Sequence, residues 1–182
     1  MRNADYVTIF RTAIIFVVIY LILAKWNAAG IILITLLAFA LDYFDGLLAR
    51  RDMKRGMKAT HYGAALDIAG DRITEYAFWI TFTYLNIIPL FVIFIILVRN
   101  SLSDALTLSK GKTFSNMKSG FGKIAYSHFS RGLYGTIKML TFLYLIAVYL
   151  AGYSITVGYA LVAVLVVYSV LRGSAEIYES IR

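Results

Sequence analysis

Four aspartates fall at helical spacing in one stretch of the sequence. Asp42 and Asp45 are three residues apart, and Asp67 and Asp71 are four apart, so each pair lies on one face of a helix. If the two helices pack side by side in opposite directions, all four carboxylates meet at one level. Neighbouring carboxylates repel one another unless a cation lies among them. The pattern therefore predicts a cation site.

The chemistry of these side chains favours a hard divalent metal ion. All four offer oxygen atoms, the chain has no cysteine, and no histidine occupies the repeated positions. Oxygen ligands suit Mg²⁺, Mn²⁺ or Ca²⁺, whereas zinc is disfavoured. Two facing pairs of aspartates leave room for two ions, an arrangement that activates a nucleophile and stabilises a leaving group in phosphoryl chemistry.

Small residues and one arginine accompany the aspartates on the same helix faces. Gly46, Ala49 and Arg50 follow the first pair, and Gly63 precedes the second pair by one turn. Small residues allow close helix contact, or let a flat group lie against the backbone. An arginine can bind a phosphate group through two nitrogens. Together with the metal ions, these residues predict a site for a nucleotide pyrophosphate.

The segments that must position these residues are membrane helices. The chain has 182 residues, of which 60% are hydrophobic and 15% charged, a composition outside the range of soluble proteins. We predict an all-α integral membrane protein with a single domain over residues 1–182 and six transmembrane helices. The helices are predicted at residues 7–24, 28–50, 61–85, 90–108, 131–151 and 155–171, with a loop at 51–60 and a short charged tail at the end.

Basic residues are distributed unevenly between the two ends of the predicted helices. In the loops at one end Lys25 is the single basic residue, and nearly all the others fall at the end that holds the aspartates. The positive-inside rule then places both termini and the aspartates on the cytoplasmic side of the cell membrane. The net charge of +8 thus indicates membrane orientation, and no nucleic-acid partner is expected.

The spacing of these residues resembles the signature of the CDP-alcohol phosphotransferases, integral membrane enzymes that make phospholipids. The matching positions are Asp42-x2-Asp45-Gly46-x2-Ala49-Arg50 and Gly63-x3-Asp67-x3-Asp71. In the first segment, Thr8 and Arg11 resemble the Thr-x-x-Arg of the family. The chain departs from the pattern at one place, since twelve residues separate Arg50 from Gly63 where the family has about eight. The four additional residues make about one helical turn and fall in the predicted cytoplasmic loop.

The resemblance implies a role for each matching residue. Asp42, Asp45, Asp67 and Asp71 would bind two divalent cations, Mg²⁺ or Mn²⁺, and Asp71 would also take the proton from the acceptor alcohol. The CDP-binding residues would be Gly46, Ala49, Arg50, Gly63, Thr8 and Arg11. The acceptor would then attack the phosphorus of the donor, and CMP would leave. The implied partners are a CDP-linked lipid donor, a small alcohol acceptor, membrane lipids and a second copy of the chain in a homodimer.

Four basic residues outside the signature predict the kind of acceptor. Arg131 and Arg172 are predicted at the same inner level as the aspartates, Arg72 follows Asp71, and Lys138 is two turns further into the bundle than Arg131. These residues could anchor the helices or bind the acceptor. As acceptor-binding residues they favour an alcohol that has its own phosphate group, a sugar or polyol phosphate. The sequence leaves inositol phosphate and glycerol phosphate open.

A divalent-cation transporter is the alternative interpretation of the same intramembrane aspartates. A transport site is expected near the bilayer midplane, often at broken helices or between internal repeats. The aspartates are instead predicted near one membrane face, and the sequence shows no internal repeat. The transferase interpretation is therefore favoured.

Overall fold

A computed structural model of the chain describes residues 3–54, 61–110 and 127–181, and it is all-helical over this part. Within these ranges it gives only the backbone of residues 3–5, 42–54, 61–64, 106–110, 128, 176 and 179–181. The helices described are α1 (Asn3–Leu23), α2 (Ala28–Lys54), α3 (His61–Tyr84), α4 (Leu90–Lys110), α5 (His128–Ala151) and α6 (Ile155–Ile181). The predicted all-α class is confirmed.

Local side-chain chemistry sets several of the helix ends. At the start of α2, Asn27 Oδ1 accepts a hydrogen bond from the Gly30 N–H at 2.9 Å. At the start of α5, Ser127 Oγ accepts one from the Ser130 N–H at 3.1 Å. Both are N-caps that satisfy a backbone donor which the first helical turn leaves free. The end of α5 is Gly152 with φ of 72°, a left-handed conformation that favours glycine.

Two helices continue beyond the segments predicted from hydropathy. The α2 helix includes residues 51–54, which were predicted as loop, and α6 continues to Ile181 through the predicted charged tail. Both predictions are wrong at these residues because hydropathy marks where the chain leaves the hydrocarbon, not where the helix ends. No proline interrupts residues 51–54 or 172–181, so the backbone hydrogen bonds can continue. The other bounds differ by about one turn or less.

The helices pack around an aromatic core in which α2, α3 and α5 meet. The α1 helix contacts α2 and α3, α4 contacts α6, and α5 contacts α2 and α6. The ring of Phe142 lies with its centroid 4.8 Å from that of Phe78 and 5.0 Å from that of Trp79. All three side chains are fully buried. This core packs α3 against α2 and α5.

The distribution of polarity is that of a membrane protein. Large apolar side chains such as Phe16, Leu33 and Phe94 face outward, whereas Glu75 and Asn100 are fully buried. This is the reverse of a soluble fold, in which charged groups face water. Among the described residues, three helices hold stretches long and apolar enough to cross a membrane, and Ala28–Leu41 is a shorter apolar one. The three stretches are Tyr6–Leu23, Phe129–Ala151 and Ile155–Ala175. Six spans and cytoplasmic termini stay predictions.

Candidate active site

Arg11 of α1 brings together the two aspartates of α3. Its Nη2 atom lies 3.1 Å from Oδ1 of Asp67 and 2.9 Å from Oδ1 of Asp71. The Arg11 side chain is only 5% exposed, whereas the side chains of Asp67 and Asp71 are 52% and 44% exposed. One guanidinium group thus holds two carboxylates that are one helical turn apart, and it leaves both accessible to a ligand.

Gly70 allows α1 to come close enough for this contact. A Cβ atom at Gly70 would lie 2.9 Å from Cγ2 of Thr8 and 3.1 Å from Oγ1 of Thr12, which is tighter than side chains normally pack. Threonine is stiff at its first torsion, and the Thr12 hydroxyl is held by a 2.8 Å hydrogen bond to the Thr8 carbonyl. These atoms cannot move aside easily. Gly70 therefore sets the distance between α1 and α3, and with it the reach of Arg11.

The remaining signature residues lie where the structure describes the backbone alone. Asp42, Asp45, Gly46, Ala49 and Arg50 are in the last part of α2, and Gly63 is in the first turn of α3. Both signature segments are thus helical, as their spacing requires. The side-chain roles given to these six residues stay predictions. Residues 55–60, which hold part of the longer loop, lie outside the described residues.

The described half of the aspartate set fits a divalent cation. Asp67 and Asp71 point their Oδ1 atoms at one shared positive charge, the guanidinium of Arg11. Carboxylate oxygens are the ligands that Mg²⁺ and Mn²⁺ prefer. Among the described side chains, no group of three or more possible ligands forms a metal site. Asp42 and Asp45 would have to complete the coordination.

A second group of charged side chains, buried or half-buried, lies where α3, α4, α5 and α6 meet. Arg72 donates from Nε and Nη2 to the two carboxylate oxygens of Asp104, at 2.8 and 2.7 Å. Glu75 is fully buried, and its Oε1 accepts a hydrogen bond from the Tyr134 hydroxyl at 3.1 Å. Lys138 Nζ lies 3.9 Å from Glu75 Oε2. These contacts join three helices, α3, α4 and α5, at the level of the second turn after Asp67.

Two basic side chains lie against the ring of Tyr134. Lys138 Nζ lies 5.6 Å and the guanidinium carbon of Arg172 lies 5.0 Å from the ring centroid, distances typical of cation–π contacts. Arg172 is 8% exposed. Arg131 is exposed and lies on the same face of α5, three residues before Tyr134. We use the name basic cluster for Arg131, Lys138 and Arg172 around Tyr134.

Several polar residues of this region were not recognised from the sequence as parts of a site. Arg99 and Asn100 of α4 are among them, and both are buried. Arg99 Nε donates to the Ser169 carbonyl at 3.0 Å and so joins α4 to α6. Glu75 was not singled out, although it lies four residues after Asp71, on the same face of α3. This spacing is the feature of the sequence from which Glu75 could have been identified as part of the site.

A family comparison now identifies the class of protein. The family model described as CDP-alcohol phosphatidyltransferase matches residues 1–171. The match covers most of the chain and includes both signature segments, so the chain belongs to the CDP-alcohol phosphatidyltransferase family. No curated protein matches the chain. The resemblance read from the aspartate spacing is confirmed.

Membership establishes the general reaction. The chain is an enzyme, a membrane transferase of phospholipid biosynthesis that moves a phosphatidyl group from a CDP-alcohol to an alcohol acceptor. The family generally depends on divalent cations. Neither the family nor the described structure supports the transporter alternative.

Proposed function

We propose that the enzyme transfers a phosphatidyl group from a CDP-linked lipid to an alcohol that has its own phosphate group, a sugar or polyol phosphate, and releases CMP. The observation that supports this acceptor class is the basic cluster around Tyr134, whose hydroxyl bonds to Glu75 one turn beyond Asp71. Inositol phosphate and glycerol phosphate each offer a hydroxyl for the reaction and an anion for recognition. Arginine and lysine bind such an anion strongly in a partly dry site.

The donor is assigned to the aspartate side of α3. Asp42, Asp45, Asp67 and Asp71 would together hold two divalent cations, which neutralise the pyrophosphate and stabilise CMP as it leaves. Arg11 keeps Asp67 and Asp71 in a fixed relation. The residues assigned to the CDP group are Thr8, Arg11, Gly46, Ala49, Arg50 and Gly63.

Asp71 is assigned as the catalytic base. Its side chain is 44% exposed and is held 2.9 Å from Arg11 Nη2, so it can meet the acceptor hydroxyl without a movement of α3. Asp71 takes the hydroxyl proton as the acceptor oxygen bonds to the phosphorus that bears the lipid alcohol. The bond from that phosphorus to the oxygen of CMP then breaks, and CMP leaves. The helices that surround the site hold the two reactants close and in line, which lowers the entropic cost of the reaction.

Contacts divide the four predicted acceptor residues into two groups. Lys138 and Arg172 lie over one aromatic ring and would bind the acceptor phosphate, and the exposed Arg131 would meet it at the entrance. Arg72 already donates two hydrogen bonds to Asp104. We therefore assign Arg72 to the positioning of α3 against α4.

The site is assigned to the cytoplasmic side of the cell membrane. The support is the concentration of lysine and arginine at the helix ends that hold the aspartates. Water-soluble sugar phosphates and CMP would then enter and leave on the cytoplasmic side. A homodimer is proposed on the family resemblance alone.

Replacement of Arg131 by alanine is expected to raise the acceptor KM by about tenfold, because a charge-assisted contact to the phosphate is lost. The donor KM should change by less than about twofold. Arg131 is exposed, so its loss should not disturb folding. Steady-state kinetics with each substrate varied in turn measure both values. Lys25→Ala is the matched control, an exposed cation in the turn between α1 and α2. Equal changes in the two KM values would contradict the assignment of Arg131.

The proposed reaction is tested by CMP release from purified enzyme in detergent, with Mg²⁺ or Mn²⁺ and a CDP-linked lipid. The acceptors compared are inositol phosphate, glycerol phosphate, free inositol, serine and none. We expect release with one of the two phosphate-bearing acceptors. Release with free inositol or serine instead would overturn the acceptor class. Release with no acceptor of this panel, for either ester-linked or ether-linked donors, would contradict the proposed substrate pair.

A further inference from the structure

Glu75 is a buried carboxylate that the reaction outlined above does not use. It is fully buried, yet side chains from three helices reach it. Tyr134 donates to Oε1 at 3.1 Å, Asn100 Nδ2 donates to Oε2 at 3.5 Å, and Arg72 Nη1 lies 3.5 Å from the same oxygen. Lys138 Nζ approaches Oε2 to 3.9 Å. One carboxylate thus connects α3 with α4 and α5.

The stability of the fold alone does not explain why a carboxylate is buried at position 75. Removing a carboxylate from water costs several kcal/mol, and well-packed apolar side chains often replace a buried ion pair without loss of stability. A charged residue within a membrane helix is therefore a candidate for a functional role. What an apolar residue could not supply is direction, since an acceptor oxygen fixes where a hydroxyl or an ammonium group points.

Glu75 contacts the side chains that arrange the basic cluster, Tyr134 and Lys138. Its bond to the Tyr134 hydroxyl fixes the ring against which Arg172 and Lys138 lie, at 5.0 and 5.6 Å from the centroid. Its Oε2 also attracts the Lys138 ammonium directly. The carboxylate therefore acts on two of the three cations of the cluster. It acts on Arg172 through the ring of Tyr134, and on Lys138 both through that ring and by direct charge attraction.

Charge balance keeps this region suited to an anion. The side chains of Arg72, Arg99, Lys138 and Arg172 are gathered within it, and the carboxylates among the side chains that the structure describes there are Glu75 and Asp104. Asp104 is bonded to Arg72 on both oxygens. Among these described side chains, positive charge is therefore in excess around Tyr134 although Glu75 is present. The carboxylate can orient the cations without cancelling their attraction for a phosphate group.

We propose that Glu75 is a positioning residue for the acceptor. Its carboxylate holds Tyr134 and Lys138, and through the ring Arg172, in the arrangement that binds the phosphate group of the acceptor. This inference rests on the proposed function and deepens it, because it names the group that organises the acceptor side of the site. Glu75 itself touches neither substrate.

The test compares two affinities in the purified, full-length enzyme. Inorganic phosphate is the probe for the acceptor side, and CDP with Mg²⁺ is the probe for the donor side, each titrated by isothermal calorimetry. Glu75→Gln keeps the shape of the side chain and removes its charge. We expect it to weaken phosphate binding by about tenfold or more, with CDP binding unchanged within about twofold. Tyr134→Phe keeps the ring and removes the hydroxyl, and it should weaken phosphate binding in the same direction.

The double variant Glu75→Gln/Tyr134→Phe separates positioning from two independent losses. If the two residues act as a unit, the double variant should be little worse than Glu75→Gln alone. Thr141→Val is the matched control, because Thr141 is also fully buried on α5 but its hydroxyl donates to the Ile137 carbonyl of its own helix. The control should leave both affinities unchanged. If Glu75→Gln does not fold, the phosphate and CDP affinities of Tyr134→Phe alone test the positioning role.

Phosphate affinity that stays the same in both single variants, or an equal loss of phosphate and CDP affinity, would overturn the positioning role. Failure of the proposed function has a different signature. In that case the unaltered enzyme releases no CMP with any phosphate-bearing acceptor, whatever the variants do to phosphate binding. A KM comparison on the active enzyme completes the test, with the acceptor KM raised and the donor KM kept in Glu75→Gln.

Discussion

Replacement of Asp71 by asparagine is expected to lower the rate of CMP release by roughly 10²- to 10⁴-fold, the range that a general base contributes to catalysis. Asparagine keeps the shape of the side chain but cannot accept the proton of the acceptor alcohol, and it is a weaker ligand for a divalent cation. The half-exposed position of Asp71 means that the change should not unfold the bundle. Release of CMP under saturating donor and acceptor measures the effect.

Lys25→Gln is the control for this variant, since it removes an exposed charge in the turn between α1 and α2. It should retain full activity. The affinity of Asp71→Asn for CDP should fall far less than its rate, because only the rate depends on proton transfer. An Asp71→Asn enzyme within about tenfold of the original rate would contradict the assignment of Asp71 as the base.

Gly70→Val is expected to lower the rate by about 10²-fold, because a displacement of only about 1 Å at a catalytic group can have that effect. The added Cβ would lie 2.9 Å from Thr8 Cγ2 and 3.1 Å from Thr12 Oγ1, so α1 must move away from α3. Arg11 moves with α1, and its contacts of 3.1 and 2.9 Å to the two aspartates are lost. Gly70→Ala should act in the same direction, with a smaller effect and a lower Tm in detergent.

Two glycines of α5 are controls for the glycine-to-alanine substitution, because an added Cβ there would not touch a neighbouring helix. An added Cβ at Gly132 or Gly135 meets no atom within 4 Å. Alanine at these exposed helical positions should stabilise the protein by about 0.5–1 kcal/mol, because glycine loses more backbone entropy on folding. Thr8→Ser removes the methyl group that Gly70→Ala would meet, so the double variant should recover part of the lost activity. Equal behaviour of Gly70→Ala and Gly132→Ala would contradict the close approach of α1.

The placement of the two α3 aspartates on one helix face could be predicted because it depends only on short-range spacing. Asp67 and Asp71 are four residues apart, and a helix is enough to bring them to one face. The family and the helical class followed from such local patterns and are confirmed. The contact between Arg11 and these aspartates joins residues 56 positions apart. It depends on the packing of α1 against α3, which no local pattern specifies.

On the acceptor side too, the contacts that depend on helix packing could not be predicted from local sequence patterns. Lys138 and Arg172 were selected because both are basic residues outside the signature, and the structure does bring them to one ring. Glu75 and Asn100 lie in the interior of α3 and α4, and they were missed because hydropathy does not distinguish an outer helix face from an inner one. Their burial results from four helices meeting at one level. In a membrane bundle, the buried polar residues are therefore the part of the site that sequence patterns reveal least.

Binding of Mn²⁺ to the purified enzyme in the presence of CDP tests most directly whether the aspartates of α2 and α3 form one metal site. Electron paramagnetic resonance counts the bound ions, and we expect about two per chain. Asp42→Asn, on α2, and Asp67→Asn, on α3, should each lower the count or the affinity, whereas Lys25→Gln should not. Mn²⁺ binding that is unchanged in both aspartate variants would contradict a shared site and the mechanism built on it.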